Sequence, residues 1–238
     1  MNELVNYIIK HIEGGYYHPD MKPYLINGDK MANSGETMFG IDRKGGSDLI
    51  NTTAGQKFWQ IIDNNYKNHH ADKAYYNDKA DGKRIPAGVG AQLRELAANM
   101  MFSRYNRYSQ AYLSPGALQA IASDPRLQLQ FLYACWNGEG DFQLFANIMN
   151  RAFANGTRDT GTLYNAINST RRNMPTGTAN KKQLFADGAN KLDYICKQYL
   201  GGVPSTPGNT NNKKIWPWII GAAALWLLFS SNKKKGKK

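Results

Sequence analysis

Apolar residues at Leu4, Val5, Ile8, Ile9 and Ile12 recur at helical spacing and predict an amphipathic helix over residues 3–13. The same periodicity returns at 53–66, through Phe58, Trp59, Ile61 and Ile62. It returns again at 88–112, where Leu93, Leu96, Ala97, Met100 and Met101 make the stripe. Ser114-Pro115 and Asp124-Pro125 each read as an N-cap followed by proline at the first helical position, which predicts helices over 115–122 and 125–136. Asp141 is expected to open another, carrying Phe142, Leu144, Phe145, Ile148 and Met149, and residues 160–173 and 180–200 complete the helical series. Strand-like alternation nowhere runs for a useful length. Residues 16–52, rich in Gly, Pro, Asn and Asp, read as a turn-heavy β-lobe, and the polar stretch 67–86 as a long surface loop.

Beyond residue 200 the pattern changes character. Residues 201–212 (GGVPSTPGNTNN) have linker composition, with a reach of roughly 20 Å. The linker assignment extends to residue 214. Residues 215–231 form an uncharged run of 17 residues, which as a helix covers roughly 26 Å, the short end of what crosses a bilayer. Lys213-Lys214 precede it and a polybasic tail, 232–238, follows, while Trp216 and Trp218 suit a membrane interface. The expectation is a single-pass C-terminal anchor with monotopic insertion as the alternative. The lysines beyond it favour a cytoplasmic C-terminus. No cleavable signal peptide is expected, because the chain opens directly on its first helix.

Charge supports this partition. The chain carries 30 basic and 18 acidic residues, but seven lysines lie after residue 212 and every acid lies before it. The body is left at +5 and the tail at +7, so most of the basic excess belongs to the tail. That weakens a nucleic-acid reading, so no nucleic acid is expected as a partner, although the 14 tyrosines, some beside arginines, keep a polyanion-binding protein as a third alternative. The Arg/Tyr interleaving at Arg104, Tyr105, Arg107, Tyr108 and Tyr112 reads first as a half-exposed amphipathic helix. Cys135 and Cys196 sit within apolar helical patterns and are expected to be buried free thiols. No Cys/His spacing suits a metal, and no cofactor is implied.

Chemistry concentrates near the N-terminus. Glu13 follows Ile9 by four residues, beside the apolar face of the first helix, and Gly14-Gly15 supply a helix stop. Burial and the negative end of the helix dipole both favour the protonated carboxyl there. A carboxylic acid kept protonated near neutrality is what glycoside cleavage needs for its leaving oxygen. Ile12-Glu13-Gly14-Gly15-Tyr16 is followed by Gly35-Glu36-Thr37-Met38-Phe39-Gly40-Ile41, a Gly-x-Thr-x-x-Gly-Ile element. A third element is Tyr133-Ala134-Cys135-Trp136-Asn137-Gly138.

In this order the three elements resemble the glycoside hydrolase family 108 muramidases of phages. More loosely, they resemble the lysozyme and soluble lytic transglycosylase superfamily. The resemblance covers roughly residues 1–155 and implies a mostly α, lysozyme-like α+β fold, a helical body with a small β-lobe flanking the cleft, over residues 1–200. It implies that Glu13 is the catalytic acid, that Thr37 positions water or sugar, and that Tyr16, Trp136 and Asn137 contact glycan. Trp136 stands where the transglycosylases have Tyr. Residues 21–33 read as an insertion, which leaves Glu36, Asp20 and Asp29 as alternatives for a second carboxylate. A hydrolase needs such a group, whereas a transglycosylase works with Glu13 alone. The implied partners are peptidoglycan glycan strands and a lipid membrane, that of a phage virion or the bacterial inner membrane. A non-catalytic virion membrane protein retaining this fold is the alternative, since fold does not guarantee chemistry.

Overall fold

The first helix, α1 (Asn2–His11), turns Leu4, Val5, Ile8 and Ile9 inward, as its spacing predicts. It is part of a computed structural model that describes residues 2–13, 16–17, 25–26, 29–30, 36–43, 47–66, 87–174 and 179–203. After α1 come β1 (Tyr16–Tyr17), β2 (Leu25–Ile26), β3 (Asp29–Lys30), β4 (Thr37–Met38) and β5 (Ile41–Asp42). Helices α2 (Ser47–Ile50), α3 (Thr53–Tyr66) and α4 (Ala87–Tyr112) follow. The remaining described helices are α5 (Pro115–Ser123), α6 (Pro125–Asn137), α7 (Glu139–Ala154), α8 (Thr160–Arg172) and α9 (Ala179–Tyr199). The fold is mostly helical with a small β component. The predicted loop at 67–86 and residues 204–238, which hold the rest of the linker, the apolar run and the polybasic tail, lie outside the described residues. Among the described residues no helix is long and apolar enough to cross a membrane.

The chain divides into two compact units, 1–106 and 107 onward. No linker marks the boundary, because it falls inside the continuous helix α4. In the first unit every strand among the described residues is antiparallel. One sheet has the order β1-β4-β5, and β2 pairs with β3 in a separate ribbon. Val5, Ile8, Met38, Ile41, Phe58, Ile62, Leu93 and Met100 form its core. Asp48 on α2 accepts from Arg104 Nε on α4 at 2.9 Å, and Arg104 is buried. One member of the Arg/Tyr stretch is therefore an internal tie rather than a surface cation.

In the second unit α6 is central and packs against α5, α7, α8 and α9. Leu127 and every residue from Leu129 to Cys135 are buried, the pattern of a helix covered on nearly all sides. Cys135 and Cys196 are buried, unbridged thiols, as expected. Burial pushes the Cys196 thiol up to about 11. Both expected N-caps form. Ser114 Oγ accepts from Ala117 N–H, and Asp124 Oδ1 accepts from Arg126 N–H at 2.8 Å. The helix expected to open at Asp141 begins instead at Glu139. Gly138, at φ 109°, turns so tightly that α7 restarts one residue after α6 ends.

Asp124 also accepts from Arg126 Nε at 2.9 Å. Burial pushes its carboxyl upward, but the Arg126 and Thr160 hydrogen bonds outweigh that and hold it below the usual value. A folded-state pKa below the unfolded one stabilises the protein above the unfolded value of about 3.9 and stops doing so as pH falls through the folded value. Asp124→Ala is accordingly expected to cost about 1–2 kcal/mol at pH 7, measured by urea denaturation. The gap from wild type should narrow as pH drops below the unfolded carboxylate pKa, because wild type loses the same contribution there.

Candidate active site

Helix α1 closes with the Ile8 carbonyl accepting from both Ile12 N–H, at 2.9 Å, and Glu13 N–H, at 3.0 Å. Glu13 therefore lies two residues past the last helical residue, rather than within the helix, but its backbone is still fixed by α1. Its side chain is half-buried.

Facing it is the β4–β5 hairpin, with Thr37 opposite Asp42 and Met38 opposite Ile41. Only Phe39 and Gly40 connect the strands, and both have positive φ, 54° and 70°. That is the signature of the tight I′ turn, whose twist matches the flanking strands. Gly40 adopts it at little cost. For Phe39 the left-handed conformation costs about 1–2 kcal/mol. Burying the Phe39 ring stabilises by about 1.5–3 kcal/mol, which covers that cost, and the ring lies 6.4 Å from that of Phe58 on α3.

The turn meets the glutamate directly. A methyl group built on Gly40 would lie 2.6 Å from the carboxyl carbon of Glu13 and closer still to Oε2. The carboxyl thus occupies the space a side chain at position 40 would take. Tyr16 in β1 pairs with Met38 in β4, so the segment after Glu13 adds a strand to the same hairpin. Two elements more than twenty residues apart in sequence form one structural piece.

Arg43 fastens this hairpin at its open end. Its N–H donates to the Glu36 carbonyl at 2.9 Å, and its Nη1 donates to the Glu36 carboxylate at 2.6 Å. The same guanidinium makes two 2.7 Å bonds to Asp63 on α3 and stacks 5.0 Å from the Trp59 ring. The Asp63 hydrogen bonds, opposed by burial and reinforced by Glu36, hold the Arg43 pKa above its ordinary value. Its side chain is a third exposed, so solvent screens part of this ionic attraction. At the end of α1, burial and the neighbouring Lys10 lower the His11 pKa, which favours its neutral form.

Of the sequence-predicted residues, Glu13 and Thr37 belong to this assembly, Thr37 half-buried in β4, and Tyr16 joins it by its backbone. Glu36 is there too, engaged by Arg43. Asp29 pairs by its backbone with Ile26 in the separate ribbon, and Asp20 lies outside the described residues. Trp136 and Asn137 belong to the second unit, on the last turn of α6, the first half-buried and the second exposed. Sequence reasoning missed Arg43 and Asp63, and it took Gly40 for a motif position without a physical role. Only the Phe-Gly pair between short apolar runs could have pointed to the turn. Among the described residues no cluster of three His, Cys, Asp or Glu side chains could hold a metal ion. No family model, curated protein or solved structure matches the chain.

Proposed function

We propose that this chain is a membrane-anchored peptidoglycan glycosidase with a lysozyme-like fold, cleaving β-1,4 glycosidic bonds with Glu13 as general acid. The observation that carries this reading is the seating of the Glu13 carboxyl against Gly40 at the β4–β5 turn. An acid that protonates a leaving oxygen must be held in place before substrate arrives. Here α1 fixes its backbone through the Ile8 carbonyl, and the bare Cα of Gly40 leaves the space its carboxyl occupies beside the hairpin.

The engagement of Glu36 by Arg43 favours one chemistry over the other. A nucleophilic or water-activating carboxylate must turn toward the anomeric carbon, whereas Glu36 serves to close the hairpin. In the reading this supports, Glu13 does both proton steps. It protonates the glycosidic oxygen, and as carboxylate it then takes the proton from the sugar's own hydroxyl as that oxygen attacks the anomeric carbon. Thr37 orients the sugar, and Tyr16, Trp136 and Asn137 contact the glycan. The product carries a 1,6-anhydro end. Product analysis tests this fork, since free reducing ends without anhydro ends would return the second-carboxylate role to Glu36, Asp20 or Asp29. Zymography on peptidoglycan tests the activity itself, and absence of clearing by wild type would favour a non-catalytic virion protein.

Residues 215–231 are assigned as the anchor. The full-length chain is expected to stay with membranes through washes with high salt and alkaline carbonate, because a spanning apolar helix is held by the hydrophobic effect. Seven tail lysines alone would contribute about 1 kcal/mol each at an anionic surface and would be screened by salt. Recovery of intact protein in the salt wash would reduce the tail to a polybasic surface contact.

A further inference from the structure

Along a strand, neighbouring side chains point to opposite faces and residues two apart share one. On the β4–β5 hairpin one face is settled by its contacts. Met38 and Ile41 are buried, and the Phe39 ring lies near Phe58 of α3. The next pair outward is Glu36 with Arg43, bonded side chain to side chain, and Arg43 runs on to Asp63 and Trp59 of α3. Helix α3 therefore lies against the face that carries Glu36, Met38, Ile41 and Arg43. Thr37 and Asp42 are register partners between those two rows and belong to the opposite face, where both are half-buried. Their Cβ atoms are about 4.5–5.5 Å apart, as in any directly opposed antiparallel pair.

The Glu13 carboxyl meets the same hairpin at Gly40, an exposed residue two positions before Asp42. Two residues of chain span at most about 7 Å. Alternation thus gives the two hairpin acids flanking this turn different tasks. Glu36 faces α3 and closes the hairpin through Arg43, whereas Asp42 stands beside Thr37 and close to the proton donor. A carboxylate is an acceptor with about four lone-pair positions. An interaction of Asp42 within the protein therefore leaves it room for a sugar donor. Thr37 can donate as well as accept. Together they match the hydroxyl and acetamido groups of an amino sugar.

We propose that Asp42 is a substrate-binding residue of this site, accepting a hydrogen bond from a hydroxyl or acetamido N–H of the sugar that Thr37 orients. The identity of the ligand rests on the glycosidase reading; the placement of Asp42 beside Thr37 does not.

Calorimetric binding of the β-1,4-linked tetramer of N-acetylglucosamine to full-length Glu13→Gln and Glu13→Gln/Asp42→Ala tests this with turnover suppressed in both. Kd is expected to rise about tenfold or more in the double variant, the loss of one hydrogen bond to a charged acceptor. Glu13→Gln/Asp42→Asn, which keeps the shape and one acceptor oxygen, should lose less, and it gives the reading if alanine disturbs the hairpin. On peptidoglycan, Asp42→Ala in the otherwise wild-type chain should raise KM by a similar factor with kcat nearly unchanged. An unchanged Kd in both Asp42 variants, whatever their thermal midpoints, would overturn the binding role and leave Asp42 a structural residue. A Glu13→Gln parent that does not bind the tetramer would overturn it too, with zymography of the wild type deciding the glycosidase reading separately. Weakened binding beside a wild type that leaves peptidoglycan intact would remove the glycosidase reading and keep Asp42 as a glycan contact.

Discussion

Glu13→Gln is expected to lower glycan cleavage by at least about 10²-fold while leaving the thermal midpoint close to that of wild type. Glutamine has the same length and can occupy the space beside Gly40, so the hairpin and its turn should persist. It cannot give up a proton to a leaving oxygen. The loss should fall on kcat, because the interaction removed is one made in the transition state, and binding of glycan fragments should be nearly unchanged. Retention of wild-type turnover by the glutamine variant would take Glu13 out of the chemistry.

Gly40→Ala should produce the second-largest effect, through geometry rather than proton transfer. A methyl group 2.6 Å from the Glu13 carboxyl carbon cannot coexist with the present position of that side chain. Glutamate is flexible, so it will swing away at small energetic cost, and an acid displaced by about 1 Å can lose on the order of 10²-fold in rate. The positive φ adds a backbone penalty of about 1 kcal/mol. Gly156→Ala supplies the control. Gly156 also has positive φ, 86°, but nothing lies within 4 Å of a methyl group built there. It should lose comparable stability, by denaturant midpoint, with no change in turnover. Equal activity losses in the two variants would mean that Gly40 acts through backbone strain alone.

Local signals were legible and long-range ones were not. The stripe from Leu4 to Ile9, the helix over 53–66 and the caps at Ser114 and Asp124 each depend on residues within a few positions of one another. The hairpin was not readable, because strands of two residues show no alternation. Its closure depends on Arg43 reaching Asp63, 20 residues away. Phe39 gives no sign of a left-handed conformation, since the reward for it is a contact with Phe58 on another element. Arg171 is a further long-range case. Nothing near it in sequence marks it as buried, yet Tyr133 and Phe145 from two other helices enclose it. At the candidate site, Glu13 and Thr37 stood out by motif order, whereas the reason Gly40 must be glycine emerged only once α1 and the hairpin were side by side. The apolar run at 215–231 rests on its composition and length.

The central claim is cleavage between sugars by Glu13, and mass spectrometry of the soluble fragments released from purified peptidoglycan by the wild-type chain measures it directly. Disaccharide-peptide fragments cut at the β-1,4 linkage, absent from the Glu13→Gln digest, are the expected result. Release of fragments cut only within stem peptides, or of sugar-cleaved fragments at equal yield from both proteins, would contradict it.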